Sequence, residues 1–351
     1  MERYIGLDVH MQSTTIAVVG TSGKRIKTTV VDTSGPVLVQ AMKAIAGAKH
    51  VCLEEGTQSE WLFELLSPHV EEVVVFMAEK SPGTKSDEAD AWAMAERFRL
   101  GALKTRVFKA TGQFTALRSA VMGYGLILSD VVRLKNRLRA LYRSRGLHGG
   151  GQEIFRLKAR AEWEARLPSA LAPVVKQLGR QLDTLEELRA EAEQRLLDEG
   201  ARHSEVRRLA TAPAIGPIRA AQIVATIVTP HRFRTKRQLW SYCGLGIVTS
   251  SSADYVRGPD GKLVKMRTAL TRGLNHNRNP LLKLVFKGAA HQICTLMPAH
   301  PLHQHFQRIV AAGTKPNLAK LTIARRLSAT VLAMWKHKED YDAARSVTTA
   351  R

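Results

Sequence analysis

Several segments of the first 76 residues show the pattern of apolar and polar positions that is typical of short strands. Residues 4–9, 14–19 and 25–31 are rich in valine, isoleucine and threonine, and short polar turns separate them. Runs of this composition bounded by turn residues predict β-strands. Two shorter apolar runs, 51–53 and 73–76, predict buried strands, because nearly every side chain in them is apolar.

Between and after these runs, apolar residues recur at the spacing of an α-helix. The pattern predicts helices after Gly35-Pro36, over residues 59–67 and over about 87–101, with Ser86 as the N-cap of the last. Three strands followed by helix, strand, helix, strand and helix is the element order of the ribonuclease H-like fold. We therefore predict an α/β ribonuclease H-like domain over residues 1–112.

From residue 113 onward the apolar spacing is mostly helical. Residues 114–146 predict a long basic helix, and residues 170–199 predict a second one with leucines three or four positions apart. Together they predict a helical arm of coiled-coil type over residues 113–200. The arm either forms a hairpin within one chain or pairs two chains, and the pattern leaves both open.

A mainly α C-terminal domain is predicted over residues 201–351. In it, Pro213-Ala214-Ile215-Gly216-Pro217 separates an apolar helix from an alanine-rich one, which predicts a helix–hairpin–helix-like element. Such a turn exposes backbone N–H groups at a helix N-terminus, where phosphate binds. Residues 263–290 are predicted to be basic and helical, and a last helix is predicted over about 317–338.

Positive charge is concentrated in the second part of the chain. The formal net charge is +22, yet residues 1–120 hold 14 basic and 14 acidic residues, whereas residues 201–351 hold 25 and 6. A basic excess confined to one region predicts a surface that binds a polyanion, most often nucleic acid.

Cysteine usage and hydropathy exclude several classes of protein. Cys52, Cys243 and Cys294 are far apart and form neither a zinc pattern nor a disulfide framework, which fits a reducing cytoplasm. No uninterrupted apolar run reaches the roughly 18 residues of a membrane span. The N-terminus enters a strand pattern at once. We therefore expect a cytoplasmic protein with no signal peptide and no membrane partner.

Acidic residues occur at strand ends and at the start of a helix. Asp8 ends the first strand, Glu54 and Glu55 end the fourth, and Asp87 and Asp90 lie three apart in the first turn of a helix. Carboxylates that converge at one point bind Mg²⁺, and Mg²⁺ beside nucleic acid indicates phosphodiester chemistry. With one of the two glutamates, the layout predicts a four-carboxylate site for one or two Mg²⁺ ions.

Four segments resemble the motifs of the DEDD insertion-sequence transposases, the bridge-RNA-guided recombinases of the IS one-ten family with a RuvC-like N-terminal domain. They are Gly6-Leu7-Asp8-Val9-His10, Glu55-Gly56-Thr57, Lys85-Ser86-Asp87-Glu88-Ala89-Asp90-Ala91 and the Pro213–Pro217 turn. The resemblance runs from residue 4 to about 340. It implies that the metal ligands are Asp8, Glu55, Asp87 and Asp90. Thr57, two positions after Glu55, selects Glu55 over Glu54.

The resemblance also implies a nucleophilic serine in the C-terminal domain. The family's Tyr-x-Gly-Leu segment is matched by Tyr242-Cys243-Gly244-Leu245, and Ser252 takes the serine position by spacing, with Ser251 as the alternative. The implied reaction passes through a covalent phosphoserine link to DNA. A guide (bridge) RNA, a homodimer or homotetramer, and an active site shared between two domains are implied as well.

The sequence therefore predicts a transposase or recombinase of a mobile element that cuts and rejoins DNA without a high-energy cofactor. One alternative is an Mg²⁺-dependent, Holliday-junction-type endonuclease in which water attacks and the serine is idle. Another is an inactive nucleic-acid-binding scaffold. The four acids argue against the scaffold, because an inactive fold gives no reason for them.

Overall fold

The computed structural model places most of the chain. It describes residues 1–77, 86–110, 112, 114–148, 151–249, 255–257, 259–265 and 271–343. The chain divides into two compact units, residues 1–113 and residues 114–351. The division of the second unit into an arm and a C-terminal domain at residue 200 stays a prediction.

A six-stranded mixed sheet forms the centre of the first unit. Its strands are β1 (Glu2–Val9), β2 (Ser13–Gly20), β3 (Arg25–Asp32), β4 (Ala48–Glu54), β5 (Glu72–Phe76) and β6 (Arg106–Val107). They lie in the order β3-β2-β1-β4-β5-β6. β1 pairs antiparallel with β2 and parallel with β4, and β4 pairs parallel with β5. The central strand β1 therefore ends beside the end of β4.

Helices cover both faces of this sheet. They are α1 (Gly35–Lys43), α2 (Ser59–Leu66) and α3 (Asp87–Arg99). Ile5 and Leu7 of β1 pack into one core with side chains of α1 and α2. On the other face, Ala17 and Val19 of β2 form a core with α3. An α/β sheet with helices on both faces is compatible with the predicted ribonuclease H-like fold.

The second unit is mostly helical. Its helices are α4 (Thr115–Arg143), α5 (Leu157–Glu164), α6 (Ala172–Ala201), α7 (Ser204–Ala210), α8 (Gly216–Ile227), α9 (Lys236–Tyr242), α10 (Pro280–Leu296), α11 (Pro301–Ala311) and α12 (Pro316–His337). Four short strands accompany them in the part of the unit that the structure describes: β7 (Ile247–Thr249), β8 (Tyr255–Arg257), β9 (Leu263–Lys265) and β10 (Thr271–Leu274). β7 pairs antiparallel with β10, and β8 pairs antiparallel with β9.

The prediction that residues 263–290 are helical was wrong over their first part. Leu263–Lys265 and Thr271–Leu274 are strands, and α10 begins only at Pro280. Gly273 has a φ of +87°, which an α-helix excludes. The other long helices of this unit lie close to where the sequence predicted them.

The two long helices α4 and α6 pack along each other. Their outer halves share an apolar cluster that includes Val131, Leu138 and Leu182. Their other ends join the main core of the unit, where Leu117 of α4 and Leu196 of α6 pack in one cluster with α8, α10 and α12. The predicted arm is therefore rooted in the core formed by the C-terminal helices.

One helix among the described residues, α4, is long and apolar enough by length and composition to span a membrane. A single helix of this kind is weak evidence for a membrane span. No membrane protein is indicated.

Candidate functional site

The end of β1 directs Asp8 toward α3. Side chains alternate between the two faces of a strand, so Asp8 shares a face with Gly6. A Cβ atom on Gly6 would lie 2.2 Å from the carbonyl oxygen of Ala91 in α3. Because Asp87 is one helical turn before Ala91, this close approach brings the start of α3 to the end of β1.

The start of α3 is fixed by a side-chain cap. Ser86 Oγ accepts a hydrogen bond from the Ala89 backbone N–H at 3.2 Å, as the sequence predicted for an N-cap. Asp87 and Asp90 therefore both lie in the first helical turn, where the helix dipole favours negative charge. The cap fixes the residue at which α3 begins, and with it the position of the helical turn that carries the two carboxylates.

Asp8, Asp87 and His10 form a compact cluster at this point. His10 Nε2 lies 3.4 Å from Asp8 Oδ2 and 3.4 Å from Asp87 Oδ2. One ligand atom of each of the three residues lies within 4.8 Å of the other two. Sequence reasoning did not assign His10 to the site, although its position two residues after Asp8 was a usable signal.

Burial raises the pKa of the Asp8 carboxyl above its ordinary value. His10 acts against this shift, while the nearby charges of Asp87 and Asp90 add to it. Within the described ranges, no lysine or arginine forms an ion pair with any of these three aspartates. Carboxylates that converge without a fixed basic partner suit a divalent cation, which supplies the missing positive charge. The residues present therefore fit a metal ion.

Glu55 has other partners. It follows the last residue of β4, and its carboxylate accepts hydrogen bonds from Ser59 Oγ at 3.1 Å and from Lys109 Nζ at 2.9 Å. The Lys109 side chain is 7% exposed and also lies 3.4 Å from Glu60. The contacts of Glu55 are thus with the start of α2 and with Lys109, and the cluster of Asp8, His10 and Asp87 does not include it.

Glu54 lies on the opposite side of the strand from Glu55. Two residues earlier, Cys52 Sγ donates to the Met94 carbonyl of α3 at 3.5 Å, so Cys52 faces α3. Alternation then places Glu54 on the α3 face, which is also the face of Asp8. The parallel pairing of Leu7 with Leu53 makes Asp8 and Glu54 neighbours at the ends of adjacent strands. The two glutamates that the sequence left as alternatives therefore differ in sheet face.

The predicted nucleophile, Ser252, and its alternative Ser251 lie outside the described residues. The residues just before β7, the strand that precedes the serines, are hydrogen-bonded to α12. Arg325 of α12 donates from Nε to the Leu245 carbonyl at 2.7 Å, and the Trp240 indole N–H donates to the Arg325 carbonyl at 3.0 Å. These two hydrogen bonds tie α9 and the residue Leu245 to α12.

The predicted helix–hairpin–helix-like turn lies between α7 and α8. Ala214 and Gly216 both have positive φ, 57° and 58°. The Arg219 guanidinium donates to the Ala214 carbonyl and, at 2.9 Å, to Gln292 of α10. Burial lowers the pKa of Arg219. This arginine ties the turn to α10.

Comparison with known proteins gives one family. Residues 206–278 match the family model described as "Transposase IS116/IS110/IS902 family". The matched region begins in α7, includes the Pro213–Pro217 turn and the serine-rich segment, and ends just before α10. A comparison with curated proteins finds no match. The family match supports an IS110-type transposase.

Proposed function

We propose that this protein is a transposase that cuts and rejoins DNA strands, using a metal centre in the first unit and a serine nucleophile in the second. The family match of residues 206–278 supports transposition of DNA. The observation that carries the metal part of the proposal is the convergence of Asp8 and Asp87 on one point, with no lysine or arginine ion-pair partner for either in the described parts of the chain.

The ligands proposed for the metal centre are Asp8, Asp87, Asp90 and one glutamate at the end of β4. The resemblance of the sequence motifs assigns that glutamate as Glu55, and the sheet face favours Glu54. Bound Mg²⁺ would neutralise charge on the phosphate under attack and make its phosphorus more electrophilic. The carboxylates would hold the ion, and the Ser86 cap and the Gly6 contact position two of the elements that carry them.

The proposed nucleophile is Ser252. Its Oγ would form a bond to phosphorus while one P–O bond of the DNA backbone breaks. The proton lost by the serine goes to solvent or a nearby base, and the released DNA oxygen gains one. Attack by a DNA hydroxyl on the phosphoserine link would reverse these changes and join new strands. The bond energy is conserved, so the reaction needs no nucleoside triphosphate.

The second unit is proposed to bind the nucleic acids. Residues 201–351 carry 25 basic and 6 acidic residues, an excess that neutralises many phosphates. DNA and a guide (bridge) RNA are both polyanions that such a surface can hold. A homodimer or homotetramer, which the resemblance implies, completes the proposal.

The test begins with the RNA that copurifies with the full-length protein. Its sequence would define DNA substrates, which are then incubated with Mg²⁺ and wild-type protein, Asp8→Asn or the control Asp32→Asn. Asp32 ends β3 and is exposed. We expect strand cleavage and a protein–DNA adduct with wild type and Asp32→Asn only. Metal-dependent cleavage without any adduct would instead identify the water-using endonuclease, and binding without cleavage would identify the scaffold.

A further inference from the structure

We propose that His10 is itself a ligand of the metal centre and gives it a nitrogen donor. This inference rests on the metal site of the proposed function and extends it to the choice of ion. A centre with an imidazole ligand should bind a first-row transition-metal ion such as Co²⁺ with a larger advantage over Mg²⁺ than carboxylates alone would give.

The position of His10 is set by its backbone. Its N–H donates to the Ser13 carbonyl at 2.9 Å, and its carbonyl accepts from Thr33 Oγ1 at 3.0 Å. Thr33 Oγ1 also lies 2.8 Å from Oγ1 of the buried Thr14. The turn between β1 and β2 is thus tied to β2 and to the end of β3. These hydrogen bonds hold the backbone of His10 in place, with its imidazole beside Asp8 and Asp87.

The distances are compatible with one ion held between the three residues, whose ligand atoms all lie within 4.8 Å of one another. Nε2 is 3.4 Å from each carboxylate oxygen, which is longer than the usual N–H···O range of about 2.7–3.2 Å. Adjacent ligand atoms of an octahedral ion with bonds of about 2.1 Å lie roughly 3.0 Å apart. Small side-chain shifts would therefore bring all three donors to one cation.

The other roles open to His10 make different predictions. A histidine that only points into solvent would not lie equidistant from two carboxylate oxygens, although its side chain is 52% exposed. A histidine that only orients the two aspartates would support every cation equally. A nitrogen ligand instead discriminates, because imidazole favours transition-metal ions while Mg²⁺ prefers oxygen ligands and water.

Calorimetric titration of the full-length protein with Co²⁺ and with Mg²⁺ separates these roles. The variants are His10→Ala, His10→Gln, Asp87→Asn and, as a matched control, His148→Ala, an exposed histidine of the second unit. We expect His10→Ala to raise the Kd for Co²⁺ by about tenfold or more and the Kd for Mg²⁺ by roughly threefold or less. His10→Gln should resemble His10→Ala, and His148→Ala should resemble wild type.

Pulsed electron paramagnetic resonance of the Mn²⁺-loaded protein gives a direct readout. We expect nitrogen coupling to Mn²⁺ in wild type and His148→Ala and none in His10→Ala, while far-ultraviolet circular dichroism shows all of them folded. Equal losses for both ions without nitrogen coupling would overturn ligation by His10 and leave the carboxylate site standing. Unchanged binding of both ions by Asp87→Asn would overturn the site itself, and the inference with it.

Discussion

Gly6 of β1 lies directly against Ala91 of α3, and a Cβ atom on Gly6 would come within 2.2 Å of the Ala91 carbonyl oxygen. Because glycine has no side chain, the strand and the helix that carry Asp8 and Asp87 can approach each other this closely. This contact makes the geometry of the candidate site depend on a residue that has no functional group.

Gly6→Ala should destabilise the protein and weaken metal binding together. The added methyl group must displace α3, and overpacking of this kind costs about 1–3 kcal/mol or more. Gly20→Ala is the matched control in the neighbouring strand, because its new Cβ would meet no atom closer than 3.5 Å. Thermal unfolding and Mn²⁺ titration measure the two effects. Equal behaviour of the two variants would contradict the close contact.

Glu54→Gln and Glu55→Gln should separate the two candidate strand-end ligands. If sheet face decides, Glu54→Gln weakens metal binding, and Glu55→Gln mainly lowers the melting temperature because it weakens the ion pair with buried Lys109. Losing one partner of a largely buried charge costs about 1–3 kcal/mol. Metal titration and thermal unfolding of both variants decide the matter. Loss of metal binding in Glu55→Gln alone would instead support the assignment from motif resemblance.

Asp8→Asn should stabilise the metal-free protein near neutral pH. The pKa of Asp8 is raised by burial and by the charges of Asp87 and Asp90, so the folded state holds its proton more tightly than the unfolded chain. This contribution to stability is fully present below the ordinary carboxyl pKa of about 4 and is lost as the pH rises through the raised value. The asparagine of the variant has no ionisable proton and stays neutral, so the variant escapes that loss.

Melting temperatures of wild type and Asp8→Asn across pH, without metal, check this prediction. The advantage of the variant should be largest near neutral pH and shrink toward pH about 4. Addition of Mg²⁺ or Mn²⁺ should raise the melting temperature of wild type and leave the variant nearly unchanged. A wild type that gains stability between acidic and neutral pH relative to the variant would contradict the sign of the shift.

Ser252→Ala should abolish the covalent adduct and strand joining while preserving nucleic-acid binding. The lost hydroxyl is the atom that would form the bond, whereas binding is spread over many lysine and arginine contacts. Ser251→Ala is the matched control and should retain the adduct. Denaturing gels of trapped protein–DNA complexes measure the amount of covalent adduct that each variant forms. An adduct in Ser252→Ala but not in Ser251→Ala would identify Ser251 as the nucleophile.

The first unit was predictable because its signals are local. Strand alternation in residues 4–9, 14–19 and 25–31 was enough to predict strands that the structure places within β1, β2 and β3. The Ser86 cap marked the start of α3. The sequence could not show that Glu55 would pair with Lys109, because 54 positions separate the two and the contact exists only in the folded state.

The cluster at His10 and the strands of the second unit illustrate the same limit. The position of His10 two residues after Asp8 is a local signal, but its approach to Asp87 depends on the packing of α3 against Gly6, which the sequence alone does not show. Leu263–Lys265 and Thr271–Leu274 are too short for their periodicity to separate strand from helix. Their pairing partners, rather than their own composition, make them strands.

The inner ends of α4 and α6 are anchored in the core of the second unit, so a force on their outer ends is transmitted to that core. Leu117 and Leu196, at the inner ends of the two helices, belong to the same close-packed cluster as Leu327 of α12. The adjacent Arg325 holds the residues that lead into β7. Because such a core deforms little, a torque applied at the outer end of the helices must either shear the core or be passed on to α12. A force on the arm thus reaches α12 and, through Arg325, the chain at Leu245.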